Sequence, residues 1–215
     1  MFRYLKFLNN IYLLAILGMN LVIYFAILNF KHLNSDLLLV IINNLFNFIP
    51  VGLGLACILI VNGIIDPQNK SRMVTWRWKY PLPGHYAFSI YSKNDPRIDE
   101  ILLRKNLKNI PRNENKQNAL WYSLYQSLSN EVAVQQAHKD YLLARDYTSL
   151  ALLLILTLGV LSFWQFEKYF FILNYLFFLL FQYLLVRKVA LNYGERFVTT
   201  VLAIKTSKYR EELNE

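Results

Sequence analysis

Residues 169–205 read YFFILNYLFFLLFQYLLVRKVALNYGERFVTTVLAIK, and the two halves of that stretch call for different solvents. Tyr169–Val186 contains no Asp, Glu, Lys or Arg. At 1.5 Å per residue a helix of that length nearly matches a hydrocarbon layer of about 30 Å. Arg187 and Lys188 end the run, and Val186, Val189, Ala190, Tyr193, Phe197, Val201 and Ile204 mark an apolar stripe at three- and four-residue steps. Lys188, Asn192, Arg196 and Thr199 fall on another face. The expectation is a membrane span followed by an amphipathic helix about 30 Å long, whose apolar stripe must bury against other polar-segment helices.

Three more segments are apolar and long enough to cross a bilayer: Ile11–Phe30, Leu37–Ile65 and Tyr147–Phe163. The second exceeds a straight crossing, so a tilt, a kink or a protruding end is expected. Lys31–Asp36 and Trp164–Lys168 are short connections, which pairs the spans into two hairpins. The start of the chain imitates a secretory leader, but its apolar run is too long and lacks a small-residue cleavage site, so it reads as a retained span. The fold class expected is therefore all-α: a polytopic membrane protein with four transmembrane helices in two hairpins and a helical cytoplasmic module. Its parts are residues 1–65 (first hairpin), 66–146 (module), 147–186 (second hairpin) and 187–215 (tail helix).

Composition fits that class. Charged residues make up 17% of the 215, against roughly 25% in soluble domains, yet the net charge is +9. The basic surplus is concentrated outside the spans. Near the span ends, Arg3, Lys6, Lys70, Arg72, Arg77, Lys79, Lys139, Arg145, Arg187, Lys188, Arg196 and Lys205 lie on one side, and only Lys31 and Lys168 on the other. By the positive-inside rule both termini and the central segment face the cytoplasm of a bacterial inner membrane.

The central segment carries helix punctuation. Asp95-Pro96 looks like a cap and first turn, opening a helix to about Lys108 with Ile98, Ile101 and Leu102 on one face. A second helix over Lys116–Leu128 places Leu120, Trp121, Leu124 and Leu128 at helical spacing. A third, from near Asn130, has no Gly or Pro before Leu158 and should continue through Ala137, Tyr141 and Tyr147 into the third span. The candidate recognition surface is Asp95, Arg97, Asp99, Gln117, Asn118, Trp121, Tyr122 and Tyr125, the last three being types that interfaces favour.

TWRWKYPLPGHYAFSI, residues 75–90, interleaves Trp76, Trp78 and Tyr80 with Arg77 and Lys79. If extended, aromatics and cations take opposite faces. Trp and Tyr favour headgroup level and cations favour the anionic inner leaflet, so a membrane-interface anchor ranks first. A partner-docking strand ranks second. Nucleic-acid binding ranks last, because it needs a broader basic face.

Chemistry is sparse. His32, His85 and His138 have no metal-ligand spacing, Cys57 is a lone cysteine within a span, and no phosphate loop or nucleophile motif occurs. No catalytic residue, metal or cofactor is expected. The spans hold no Asp, Glu, Lys or Arg, which disfavours a coupled transporter. Asn43, Asn47, Pro50 and Gly54 share one face of the second span, either as interhelical glue around a kink or as the lining of a polar path in an oligomer. Around the module's exit, His138, Arg145, Asp146, Arg187 and Arg196 are candidates for a juxtamembrane ion-pair network, with Asp146 seeking Arg187 or Arg196.

The order LPGHYAFS (82–89), NDPRIDE (94–100), KQNALWYSLY (116–125) and AHKDYLLARDY (137–147) resembles a set of small four-span bacterial inner-membrane proteins. The resemblance implies one module containing Leu82-Pro83-Gly84, Asp95-Pro96-Arg97 and Trp121-Tyr122, and implies no activity. The function expected is non-enzymatic: a homo-oligomeric scaffold or sensor in the lipid bilayer whose module binds a cytoplasmic protein. The alternative is a gated pore or membrane-perturbing effector of an antiviral-defence or toxin system.

Overall fold

The computed structural model describes residues 2–28, 49–107 and 109–214, and these are helical with no strand among them. The helices are α1 (Phe2–Leu28), α2 (Ile49–Ile64), α3 (Pro67–Thr75), α4 (Glu100–Leu107), α5 (Glu114–Ser127), α6 (Val132–Leu154), α7 (Val160–Gln165) and α8 (Tyr169–Asn214). A π-helical turn, Ile155–Gly159, joins α6 to α7. Among the described residues, three helices are long and apolar enough to cross a membrane: Asn9–Leu28, Val132–Gln165 and Tyr169–Leu213. Of the expected second span, α2 is described; the rest, with Asn43, Asn47 and the Lys31–Asp36 connection, lies outside the described residues. Pro50 and Gly54 are on the backbone of α2.

The chain divides into two compact units, Met1–Asp66 with Asp146–Val186, and Pro67–Arg145 with Arg187–Glu215. In the first, apolar unit, α1 buries Leu13, Leu17, Asn20 and Tyr24, while α8 buries Ile172, Tyr175, Leu179 and Tyr183. The return between α7 and α8 is pinned by Phe166, whose ring lies 5.1 Å from Tyr24 and 5.7 Å from Tyr175. The Tyr24 hydroxyl donates to Gln165 Oε1 at 2.8 Å. At Gly159 a Cβ would meet Leu176 at 3.0 Å, so the glycine lets these two helices close in. Leu173, Phe177, Leu180 and Leu184 form an outward apolar stripe at three- and four-residue steps, the surface expected of a helix solvated by lipid tails.

The second unit has its own core. Val134, Ala137 and Tyr141 of α6, Trp121, Leu124 and Leu128 around α5, Ile98 and Leu103 near α4, and Ala87 and Phe88 pack against Phe197, Val198, Val201 and Leu202 of α8. The amphipathic tail is not a separate helix: α8 runs unbroken for 46 residues. Its buried face is also wider than the stripe expected, because Thr199, assigned to the polar face, is buried beside Val198 and Thr200.

Two local expectations are corrected. The helix after Asp95-Pro96 starts at Glu100, not at Asp95. Asp95 accepts from the backbone N–H of Arg97 in a tight turn, and Asp99 is the cap, its Oδ1 accepting from Leu102 N at 3.0 Å. That phase change leaves Ile101 83% exposed and puts Leu103 in the core instead. Residues 76–80 are not extended: Trp76 and Tyr80 have φ of 56° and 55°, left-handed values that fold the segment back on itself. A strand-docking role for it therefore falls. The following residues wind into a tight 3-10 turn, Pro83–Tyr86, and a π-helical turn, Ala87–Tyr91.

Candidate functional site

The polar unit is organised around one aromatic group. His138 from α6 stacks on Phe197 of α8, with 4.8 Å between centroids and 12° between planes. Tyr125 of α5 meets both rings edge-on and places its hydroxyl 3.1 Å from His138 Nδ1. Trp121, one turn earlier, stacks on Tyr125 and meets Phe197 edge-on. Burial pushes the His138 imidazole down to about 4, with Arg145 acting in the same direction. The ring is neutral at physiological pH, and its tautomer sets which of Nδ1 and the Tyr125 hydroxyl donates. This is a packing device with a titratable member.

Leu82-Pro83-Gly84 fits against that group for a steric reason. A Cβ on Gly84 would collide with the side chains of Asn118 and Trp121, so α5 approaches the turn at a distance only glycine allows. Gly194 on α8 plays the reciprocal part, since a Cβ there would meet Pro83 at 3.0 Å and the Tyr141 ring at 3.2 Å.

Of the eight recognition candidates, several are interior. Gln117 is buried, accepting from Phe88 N and Ser89 N and donating to the Arg112 carbonyl. It satisfies backbone donors of the π-helical turn, so it is not a surface residue. Trp121 is buried as well. Asn118 lies against Gly84, and Tyr125 is tied to His138. Tyr122 and Arg97 are exposed, while Asp95 and Asp99 are half-buried. Asp95 pairs with Arg97 at 2.6 Å, and the Arg97 guanidinium also reaches Thr199 Oγ1 at 3.2 Å. Hydrogen bonding from Arg97 pulls the Asp95 carboxyl down to about 2. Asp99 faces Arg210 at 3.4 Å, and Glu131 faces Lys208 at 2.6 Å. These contacts staple the tail of α8 to the loops and helices beside it.

Four of the juxtamembrane candidates can be placed by their contacts or exposure. Arg187 lies with its guanidinium carbon 3.6 Å from the centroid of Trp76, and its Nε is buried without a hydrogen-bond partner. Arg145 approaches the Tyr141 ring at 5.9 Å, and the Asp146 carbonyl accepts from Asn62 at 3.4 Å. Arg196 is exposed on α8. In the interface stretch, Trp78 is 82% exposed, Arg72 donates to its carbonyl at 3.2 Å, and Arg77 covers the Tyr86 ring at 4.4 Å.

An open depression of about 460 Å³ lies beside the start of α5, lined by Asn109, Pro111, Arg112, Asn113, Lys116 and Leu120. Among the described residues no group of His, Cys, Asp and Glu is arranged to hold a metal ion. No family model matches the chain, and no curated protein or solved structure is similar to it. Function must therefore be argued from the residues.

Proposed function

We propose that this chain is a non-enzymatic, multi-pass protein of the bacterial inner membrane. In this reading it has four spans in two hairpins, with both termini and the central module in the cytoplasm. It acts as a homo-oligomeric scaffold or sensor whose module binds a protein partner. The observation that carries the reading is the division of α6 and α8. Each is one long helix, with residues up to Arg145, or from Arg187, counted in the polar unit and the remainder in the apolar one. Helices built this way suit a protein that links a membrane assembly to a soluble event. The polar unit also keeps large side chains on its surface, Ile101 on α4 and Tyr122 on α5, of the kinds that become anchors at interfaces.

The test is affinity purification of the tagged full chain from solubilised membranes, comparing wild type with Ile101→Ser/Tyr122→Ala. A partner lost from the double variant at equal protein abundance supports the reading. An unchanged set of co-purifying proteins rejects that surface. Trp121→Ala does not serve, because Trp121 is core.

A pore remains the second reading, favoured by one observation. In the apolar unit Asn20 Oδ1, Asn62 Oδ1, Ser149 Oγ, Tyr175 OH and Gln182 Oε1 are buried without hydrogen-bond partners. Several kcal/mol rides on each such group in hydrocarbon, which favours a hydrated interior. An antiviral or toxin role stands on analogy of architecture alone. Ion flux through liposomes that Asn62→Leu/Gln182→Leu abolishes supports the pore; no flux from the wild type rejects it.

A further inference from the structure

Residues 67–80, PQNKSRMVTWRWKY, contain Lys70, Arg72, Arg77 and Lys79 and no acid; residues 187–194, RKVALNYG, add Arg187 and Lys188 and again no acid. Folding brings the two stretches together. Val74 at the end of α3 packs with Ala190 of α8 and Ala144 of α6. One turn before Ala190, Arg187 lies flat over the Trp76 ring at 3.6 Å. Arg187 directly follows the uncharged run Tyr169–Val186 in sequence, on the same unbroken helix. The left-handed residues Trp76 and Tyr80 bend the intervening chain so that Trp78 stands out into solvent. Arg72 is drawn to this bend, donating to the Trp78 carbonyl at 3.2 Å with its guanidinium 5.9 Å from the Trp78 ring.

The geometry points to a lipid-headgroup site. We propose that Arg187 and Arg72, framed by Trp76 and Trp78, hold the phosphate of an anionic phospholipid at the inner surface of the bilayer. Three observations converge on that ligand. Neither stretch contains an acid, with Asp66 and Glu195 just outside them. Arg187 Nε has no hydrogen-bond partner, and a guanidinium pairs bidentately with phosphate oxygens. Two indoles more than half exposed flank the cations, and indoles favour headgroup depth. Lys79 and Arg77 strengthen the field that attracts an anionic headgroup. The proposal rests on the membrane reading above and adds to it a preferred lipid class.

The experiment uses the full chain purified in detergent. Phosphatidylglycerol and phosphatidylcholine of matched acyl chains are titrated in, with bound lipid counted by native mass spectrometry and stability followed by thermal melting. The wild type should retain phosphatidylglycerol roughly tenfold better, because both lipids offer a phosphate but the choline cation cancels its charge and is repelled by the arginines. Arg187→Gln and Arg72→Gln should each lower that preference several-fold while their melting in phosphatidylcholine stays as in wild type. Should Arg187→Gln fail to fold, Arg72→Gln and the charge-conserving Arg187→Lys decide the matter, the first losing selectivity and the second keeping part of it. Equal retention of the two lipids, or full selectivity in the folded glutamine variants, overturns the proposal. Displacement of the bound lipid by millimolar inorganic phosphate would also overturn it, because the site would then serve a free anion. A protein that stays monodisperse after detergent removal would instead defeat the membrane reading itself.

Discussion

His138 and Phe197 lie face to face, 4.8 Å apart and 12° from parallel, and the imidazole is held well below its ordinary range by burial. An unfolded histidine takes up its proton near pH 6.5, whereas the folded one resists until about 4. The unfolded chain binds more protons between those values, so stability is fully present above pH 6.5 and declines as pH falls toward 4. The polar unit should lose on the order of 1–3 kcal/mol across that window. Tryptophan-fluorescence unfolding of the purified protein at pH 7.5 and pH 4.5 measures it. His138→Phe keeps the stack and should remove most of the pH dependence.

Asp95 gives a second, lower window with its own signature. Its carboxyl, held at about 2 by the Arg97 hydrogen bonds, adds stability that is present above its ordinary value near 3.8 and is lost as pH falls through about 2. Asp95→Asn should flatten the stability profile below pH 4 while leaving the His138 window intact. If both windows vanish together, the two groups are coupled and this assignment is wrong.

Gly84 faces the tightest packing in the polar unit. Gly84→Ala must displace Asn118 and a Trp121 ring already fixed by Tyr125 and Phe197, at a cost of about 1–3 kcal/mol. Gly194→Ala meets its neighbours at 3.0 to 3.4 Å and should cost less. Thermal melting of the two variants side by side should rank them in that order.

The tail of α8 is held by two charge contacts of unequal kind. Asp99→Ala removes both the Arg210 partner and the cap on Leu102 N, so it should destabilise the start of α4 as well as the tail. Glu131→Gln removes only the half-exposed Lys208 pair, worth about 0.2–1 kcal/mol and sensitive to salt. Hydrogen exchange should show residues 203–213 opening sooner in both variants, an effect that fades in each as salt is raised, while the loss of the Leu102 cap in Asp99→Ala persists.

The readings above were unevenly legible in the sequence. Uncharged runs such as Tyr169–Val186 leave a chain few alternatives to helix, and the spacing of Trp121, Leu124 and Leu128 anticipates the buried face of α5. Asp95-Pro96 misled because the same residue types start helices and close Asx turns; what distinguishes them is whether Asp99 caps instead, a choice made by the packing of Leu103. Gln117 is beyond local reading, since its partners at Phe88 and Ser89 are 29 and 28 residues away. Left-handed Trp76 and Tyr80 carry no signal at all, because non-glycine residues adopt that conformation only when tertiary contacts impose it. Arg187 was singled out for an acidic partner, and its aromatic partner depends on that same bend.

Labelling of a single cysteine tests the central claim most directly. Cys57→Ser/Ser123→Cys moves the one thiol of the chain from α2 to an exposed position on α5. A membrane-impermeant maleimide should leave it unmodified in sealed spheroplasts and modify it in alkaline-washed inverted membrane vesicles. Modification in intact spheroplasts, or release of the protein by the alkaline wash, would contradict an integral membrane protein with an inward-facing module.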